Sequence, residues 1–145
     1  MVSDLQKVKL IVLLISTMSI TSLNAQSLTF VGNNTGYSSV SLTIMKNVFK
    51  GKYSVWSNKE SITIVLPSSK ATNAEAIATY LYGTSFSGMQ KYWLSLVFQG
   101  RANPPVFLDN DDEIIEYVKD NPGAVGIVNS TNKNITNSIK ITISD

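Results

Sequence analysis

Apolar residues along this chain come in short bursts with two different periods. Ile62, Ile64, Val65 and Leu66 form a dense, largely β-branched run, as expected of a covered strand. Pro67 has no N–H to donate and is expected to end it. Thr72 and Glu75 stand at capping-box spacing, so a helix is predicted to begin there and to stop at Gly83. Upstream, Leu28, Phe30 and Val31 mark a strand within Ser27 to Gly32, followed by the turn-forming Asn33 to Gly36. Ser41 is a suitable N-cap for a helix over Leu42 to Lys50, where Leu42, Met45 and Phe49 recur at helical spacing before Gly51. Tyr53 and Trp56 follow in a loop.

Downstream, a polar break at Thr84 to Ser87 precedes a helix predicted from Gly88 to Phe98, with Met89, Trp93, Leu96 and Val97 on one side. Pro104 and Pro105 exclude helix, and Val106 to Leu108 reads as a short strand. Asn110 and Glu113 open a helix over Asp111 to Lys119. Pro122 and Gly123 turn the chain into a strand over Ala124 to Val128. After the polar loop Asn129 to Asn137, Ile139, Ile141 and Ile143 alternate with polar residues, as in a half-buried strand. The order β-α-β-α-α-β-α-β-β predicts an α/β domain with helices packed on a mostly parallel sheet.

The first 25 residues stand outside this pattern. Lys7 and Lys9 precede an apolar run from Leu10 to Ile20, and Thr21 to Ala25 close on a small residue. That is the layout of a secretory signal peptide. The run is about half of the roughly 20 apolar residues that a membrane span requires. Cleavage after Ala25 is expected, leaving a periplasmic or secreted domain over residues 26–145 with no membrane span.

Removing 25 of 145 residues leaves 120 and takes away Lys7, Lys9 and Asp4, so twelve basic and ten acidic groups become ten and nine. Such a balance is no footprint for nucleic acid. The chain has no cysteine and no histidine. Disulfides, triads of the Ser-His-Asp or Cys-His kind and the commonest transition-metal sites are thereby excluded. A Ser–Lys arrangement involving Lys70 is chemically possible, but no spacing argues for it. No enzyme activity and no cofactor are expected.

The candidate site is the turn after the Ile62–Leu66 strand. A helix N-terminus following a strand presents free N–H groups and a positive dipole end, where an anion can sit. Ser68, Ser69, Lys70, Thr72 and Asn73 could add hydroxyl, ammonium and amide donors. The competing reading is an ordinary turn with a capped helix. Asp109, Asp111, Asp112 and Glu113 suit a first helical turn better than a calcium loop. Trp56, Tyr92 and Trp93 suit packing better than ring stacking on a ligand, and Arg101 suits a solvated loop.

Several segments taken in order resemble a known family. Phe49-Lys50-Gly51-Lys52 with Trp56, then Tyr92-Trp93, Phe98-Gln99-Gly100, Pro104-Pro105 and Asn121-Pro122-Gly123-Ala124-Val125-Gly126-Ile127 are similar to the phosphate-type periplasmic solute-binding proteins of ABC transporters. The likeness runs from about Ser27 to Ser144. It implies a single lobe of a type II periplasmic-binding-protein-like fold, since full-length relatives are two-lobed clamps. It also implies weak binding of phosphate or a similar small anion at Ser68, Ser69, Lys70, Thr72 and Asn73, linked to ABC-type phosphate uptake. The family's turn carries an Arg, an Asp and a Ser-Gly-Thr run, whereas residues 67–73 here contain no Arg, Asp or Gly. The alternative is a non-ligand-binding periplasmic interaction module, whose uncovered face would take an envelope protein partner or a second copy.

Overall fold

A computed structural model describes residues 27–144. The predicted signal peptide and its cleavage point therefore lie outside the described residues. The elements are β1 (Leu28–Gly32), β2 (Ser39–Val40), α1 (Leu42–Phe49), β3 (Thr63–Pro67), α2 (Ala74–Tyr82), α3 (Phe86–Phe98), β4 (Val106–Leu108), α4 (Asp111–Asp120), β5 (Ala124–Asn129) and β6 (Lys140–Ile143). All six strands share one sheet in the order β2-β6-β1-β5-β3-β4. Three of its five neighbouring pairs are parallel, and β1 runs antiparallel to both β5 and β6. The expected α/β domain with a mostly parallel sheet is what forms.

Handedness sorts the helices between the two faces. β3 reaches its neighbour β4 through α2 and α3. β4 then returns across β3 to β5 through α4. Parallel crossovers are right-handed, so reversing direction along the sheet sends the connecting helix to the other side. Packing agrees. Met45, Phe49, Ile77, Leu81, Met89 and Trp93 cover one face over Phe30, Leu66 and Val125. Ile114, Ile115 and Val118 of α4 cover the other over Val31, Val65 and Val128. Strands buried on both faces need no alternation, which explains the dense run at residues 64–66.

Some local details differ from the expectation. β2 was absent from the predicted order; it is two residues long and too short to carry a period. α2 begins at Ala74 without a capping box. Its N-cap, Asn73, makes no side-chain capping bond, and Glu75 Oε2 instead accepts from the Phe86 N–H at the start of α3. α3 begins at Phe86, two residues earlier than predicted, because Ser85 Oγ caps it by accepting from the Gly88 N–H. Ser41 and Asn110 cap α1 and α4 as expected, accepting from the Ile44 and Glu113 N–H groups.

Aromatic hydroxyls and an indole close the end of α1. Tyr82 donates its hydroxyl to the Phe49 carbonyl and accepts from Trp93 Nε1 at 2.9 Å. Tyr92 donates to the Lys50 carbonyl at 2.6 Å. These bonds satisfy carbonyls that a helix C-terminus leaves open. Burial raises the Tyr82 hydroxyl above its ordinary 10.0. The unfolded chain would then release this proton first, so Tyr82's contribution holds below about pH 10 and is lost as pH rises past it. Thermal unfolding followed from pH 8 to 11 should show the midpoint falling more steeply for the native chain than for Tyr82→Phe.

Candidate functional site

Parallel pairing aligns Pro67 of β3 with Leu108 of β4. The chain leaves β3 for α2 on one face and leaves β4 for α4 on the other. Adjacent strands whose outgoing connections diverge in this way open a crevice beyond their carboxyl ends, where open α/β sheets bind ligands. Residues 70–73 line one wall of a depression of about 410 Å³, and residues 109–112 with Asn132 line the rest.

Of the five predicted site residues, Lys70, Thr72 and Asn73 line this wall, whereas Ser68 and Ser69 precede it in the turn and do not line the depression. Ser68 Oγ donates to Asp109 Oδ1 at 2.6 Å and accepts from the Lys70 N–H at 3.2 Å. Lys70 Nζ is 3.8 Å from Asp109 Oδ2, with its side chain 78% exposed. Asn73 is buried, and its Nδ2 donates to Asp111 Oδ1 at 3.0 Å. Asp111 Oδ2 in turn accepts from the Asn129 N–H at 2.8 Å. The hydroxyls of Ser69 and Thr72 are exposed and make no side-chain bond among the described residues. Thus Ser68 and Asn73 hold the crevice together, while Ser69, Lys70 and Thr72 face solvent.

The start of α2 keeps its donors. No protein acceptor among the described residues takes the N–H groups of Thr72, Asn73, Glu75 or Ala76. Against them stand three carboxylates. Asp112 accepts from Asn132 Nδ2 and Asn134 Nδ2, both at 2.9 Å, and these bonds hold its carboxyl below the ordinary 3.8. With Lys70, the three aspartates leave the depression a formal −2. This net charge repels a dianion, and dissolved salt weakens that repulsion at so open a site. The acidic wall was visible as a cluster in the sequence. Its place opposite residues 68–73 depends on the β3–β4 register, which no local pattern encodes.

The remaining candidates resolve into packing or solvated positions. Trp56 is buried, with Nε1 donating to the Gly123 carbonyl at 2.9 Å. Trp93 belongs to the α1 clasp, and a Cβ on Gly51 would approach its ring to 2.9 Å. Arg101 is exposed, and among the described residues its side chain hydrogen-bonds only to Gln99 Oε1, at 3.4 Å. Among the described residues, no group of three or more Asp or Glu is arranged to hold a metal ion. No helix among them is long and apolar enough to cross a membrane.

No family model matches the chain, and no curated protein matches it. Solved structures do. A phosphate ABC transporter substrate-binding protein from Clostridium perfringens, with bound phosphate, superposes with a TM-score of 0.59 at 13% identity, over 80% of this chain and 44% of that one. An ABC-type phosphate transport receptor from Vibrio cholerae gives 0.50 at 15% identity, over 80% and 45%. At such identities the likeness is one of fold. The chain spans less than half the length of these neighbours, consistent with a single lobe of their architecture.

Proposed function

We propose that this chain is an exported, non-enzymatic domain of solute-binding type that contacts phosphate or a similar small anion weakly at residues 68–73, in connection with ABC-type phosphate uptake. One observation carries the reading: an uncapped helix start with unused N–H groups opens into the crevice where β3 and β4 send their helices to opposite faces. The fold neighbours, both described by their phosphate transport role, support the choice of anion. The acidic wall would keep affinity low, and Lys70 and Thr72, which line the depression, with the exposed Ser69 beside them, are the residues proposed to meet the ligand.

Calorimetric titration of residues 26–145 with inorganic phosphate tests this. Binding in the millimolar range is expected. Asp109→Asn keeps an acceptor for Ser68 and removes one charge, so it should tighten binding roughly tenfold. A folded protein silent to millimolar phosphate in both forms would end the anion reading.

A second reading is an interaction module. It is favoured by the exposed apolar side chains, among which Phe98 is 83% and Leu94 57% accessible. Sedimentation at several concentrations checks self-association directly.

A further inference from the structure

The sheet ends at β4 on an open edge whose backbone offers one complete pair of groups. β4 pairs only with β3. The Leu108 carbonyl accepts from the Ser68 N–H on the β3 side, so strand alternation turns the Phe107 N–H and C=O outward. On either side of Phe107 the edge lacks a free donor. Pro105 has no N–H, and the Asp109 N–H donates to Glu113 Oε2 at 3.0 Å. The ladder that an extended segment needs is therefore interrupted in both directions. Antiparallel pairing about a two-fold axis at Phe107 needs no more than this pair, because Phe107 of each chain gives its N–H and C=O to Phe107 of the other.

The side chains fix which faces such an axis brings together. Val106 and Leu108 pack against the cluster under α4, so Phe107 projects to the opposite face, that of α3. There it lines a hollow of about 510 Å³ with Leu94 and Val97 of α3 and with Pro104 and Pro105. Ser87, Lys91, Leu94 and Phe98 recur at helical spacing and form one outer stripe of α3, whereas Met89, Trp93 and Leu96 face the core. A two-fold axis perpendicular to the sheet keeps each face on its own side. It sets the two Phe107 rings next to each other and brings both α3 helices, pointing in opposite directions, to the same face.

Charge and area narrow the occupant. Lys91 is the only charged residue lining the hollow, and it is exposed, so its ammonium can stay in water while its stem covers apolar surface. A symmetric contact must tolerate its own charges, and this lining brings only one per chain. Leu94, Phe98 and Phe107 leave on the order of 300 Å² exposed in each chain, so a pair of chains brings about 600 Å² from these side chains alone. That is more than half of the roughly 1,000 Å² that a specific interface needs, before Val97, the prolines and the Lys91 stem are included.

We propose that two copies of this chain associate through the β4 edge and the outer stripe of α3. The dimer is isologous, its sheet runs through both chains, and Leu94, Phe98 and Phe107 of each copy cover the hollow of the other. This inference rests on the interaction-module reading and is independent of phosphate binding.

Sedimentation of residues 26–145 at several concentrations tests it. A dimer with a micromolar dissociation constant is expected. Leu94→Asp and Phe98→Asp should each weaken it at least tenfold, because a substitution acts twice at a symmetric contact. Both side chains are exposed, so the thermal midpoint of the dissociated chain should not change. The chain has no cysteine, which permits a second test of the geometry. Phe107→Cys should oxidise to a disulfide-linked dimer, because residues paired on the axis have Cα atoms about 5.5 Å apart, within disulfide reach. Ser138→Cys, exposed in the loop before β6, should not cross-link under the same conditions. Dimers that survive both aspartate substitutions, or that fail to cross-link at position 107, would overturn this surface while leaving the interaction reading standing. A protein that stays monomeric to millimolar concentration would overturn the proposal and confine that reading to a foreign partner.

Discussion

Gly123→Ala is expected to destabilise the domain by about 3 kcal/mol or more, combining backbone strain with overpacking of a closed site. Gly123 sits at φ +85, and a Cβ there would lie 2.0 Å from the Ser61 carbonyl oxygen. That neighbour is backbone, so it cannot rotate away. The same residue ties three segments together. Its N–H donates to the Asn33 carbonyl at 2.7 Å, and its carbonyl accepts from the Thr63 N–H at 3.1 Å and from Trp56 Nε1 at 2.9 Å. Any shift that relieves the clash loosens the entry to β3 and the seat of Trp56. Gly100→Ala is the control, because Gly100 also has positive φ, +66, but its Cβ would meet nothing within 4 Å. It should cost only about 1 kcal/mol of strain. Urea unfolding of both variants checks the difference, and similar losses would show that conformation matters here and the close approach does not.

The contrast between these glycines marks how far the sequence can be read. Pro122 and Gly123 announce a turn before β5, and the turn is there. That the turn presses on Ser61, far away in the chain, is a tertiary fact. The helix ends follow the same division. Ser41 and Asn110 cap as their spacing implies, because a cap is decided within four residues. Glu75 had the right spacing for a box with Thr72, yet the packing of α2 against α3 brings the Phe86 N–H to it instead. The direction of β1 was equally out of reach, since apolar runs are alike in parallel and antiparallel strands buried on both faces. At the candidate site, the hydroxyls and Lys70 were legible as donors. The carboxylates that face them were legible only as helix-opening acids.

The largest effect expected within the crevice belongs to Asp111 and not to any of the donors. Its carboxylate accepts from Asn73 Nδ2 through one oxygen and from the Asn129 N–H through the other. It thereby joins the start of α2, the start of α4 and the end of β5. Asp111→Ala leaves the buried Asn73 amide and a partly buried N–H without acceptors. Unsatisfied donors of this kind cost about 1–3 kcal/mol each, so a loss of about 3 kcal/mol is expected. Asn73→Ala removes one of the two donors and should cost less. Because the residues share a bond, the double variant should fall short of the summed losses by about 1 kcal/mol, measured as a coupling in urea unfolding. Additive losses would mean that the two walls stand independently. The crevice would then owe its shape to the strand register alone, and substitutions on the acidic wall could tune anion affinity without disturbing the donors opposite.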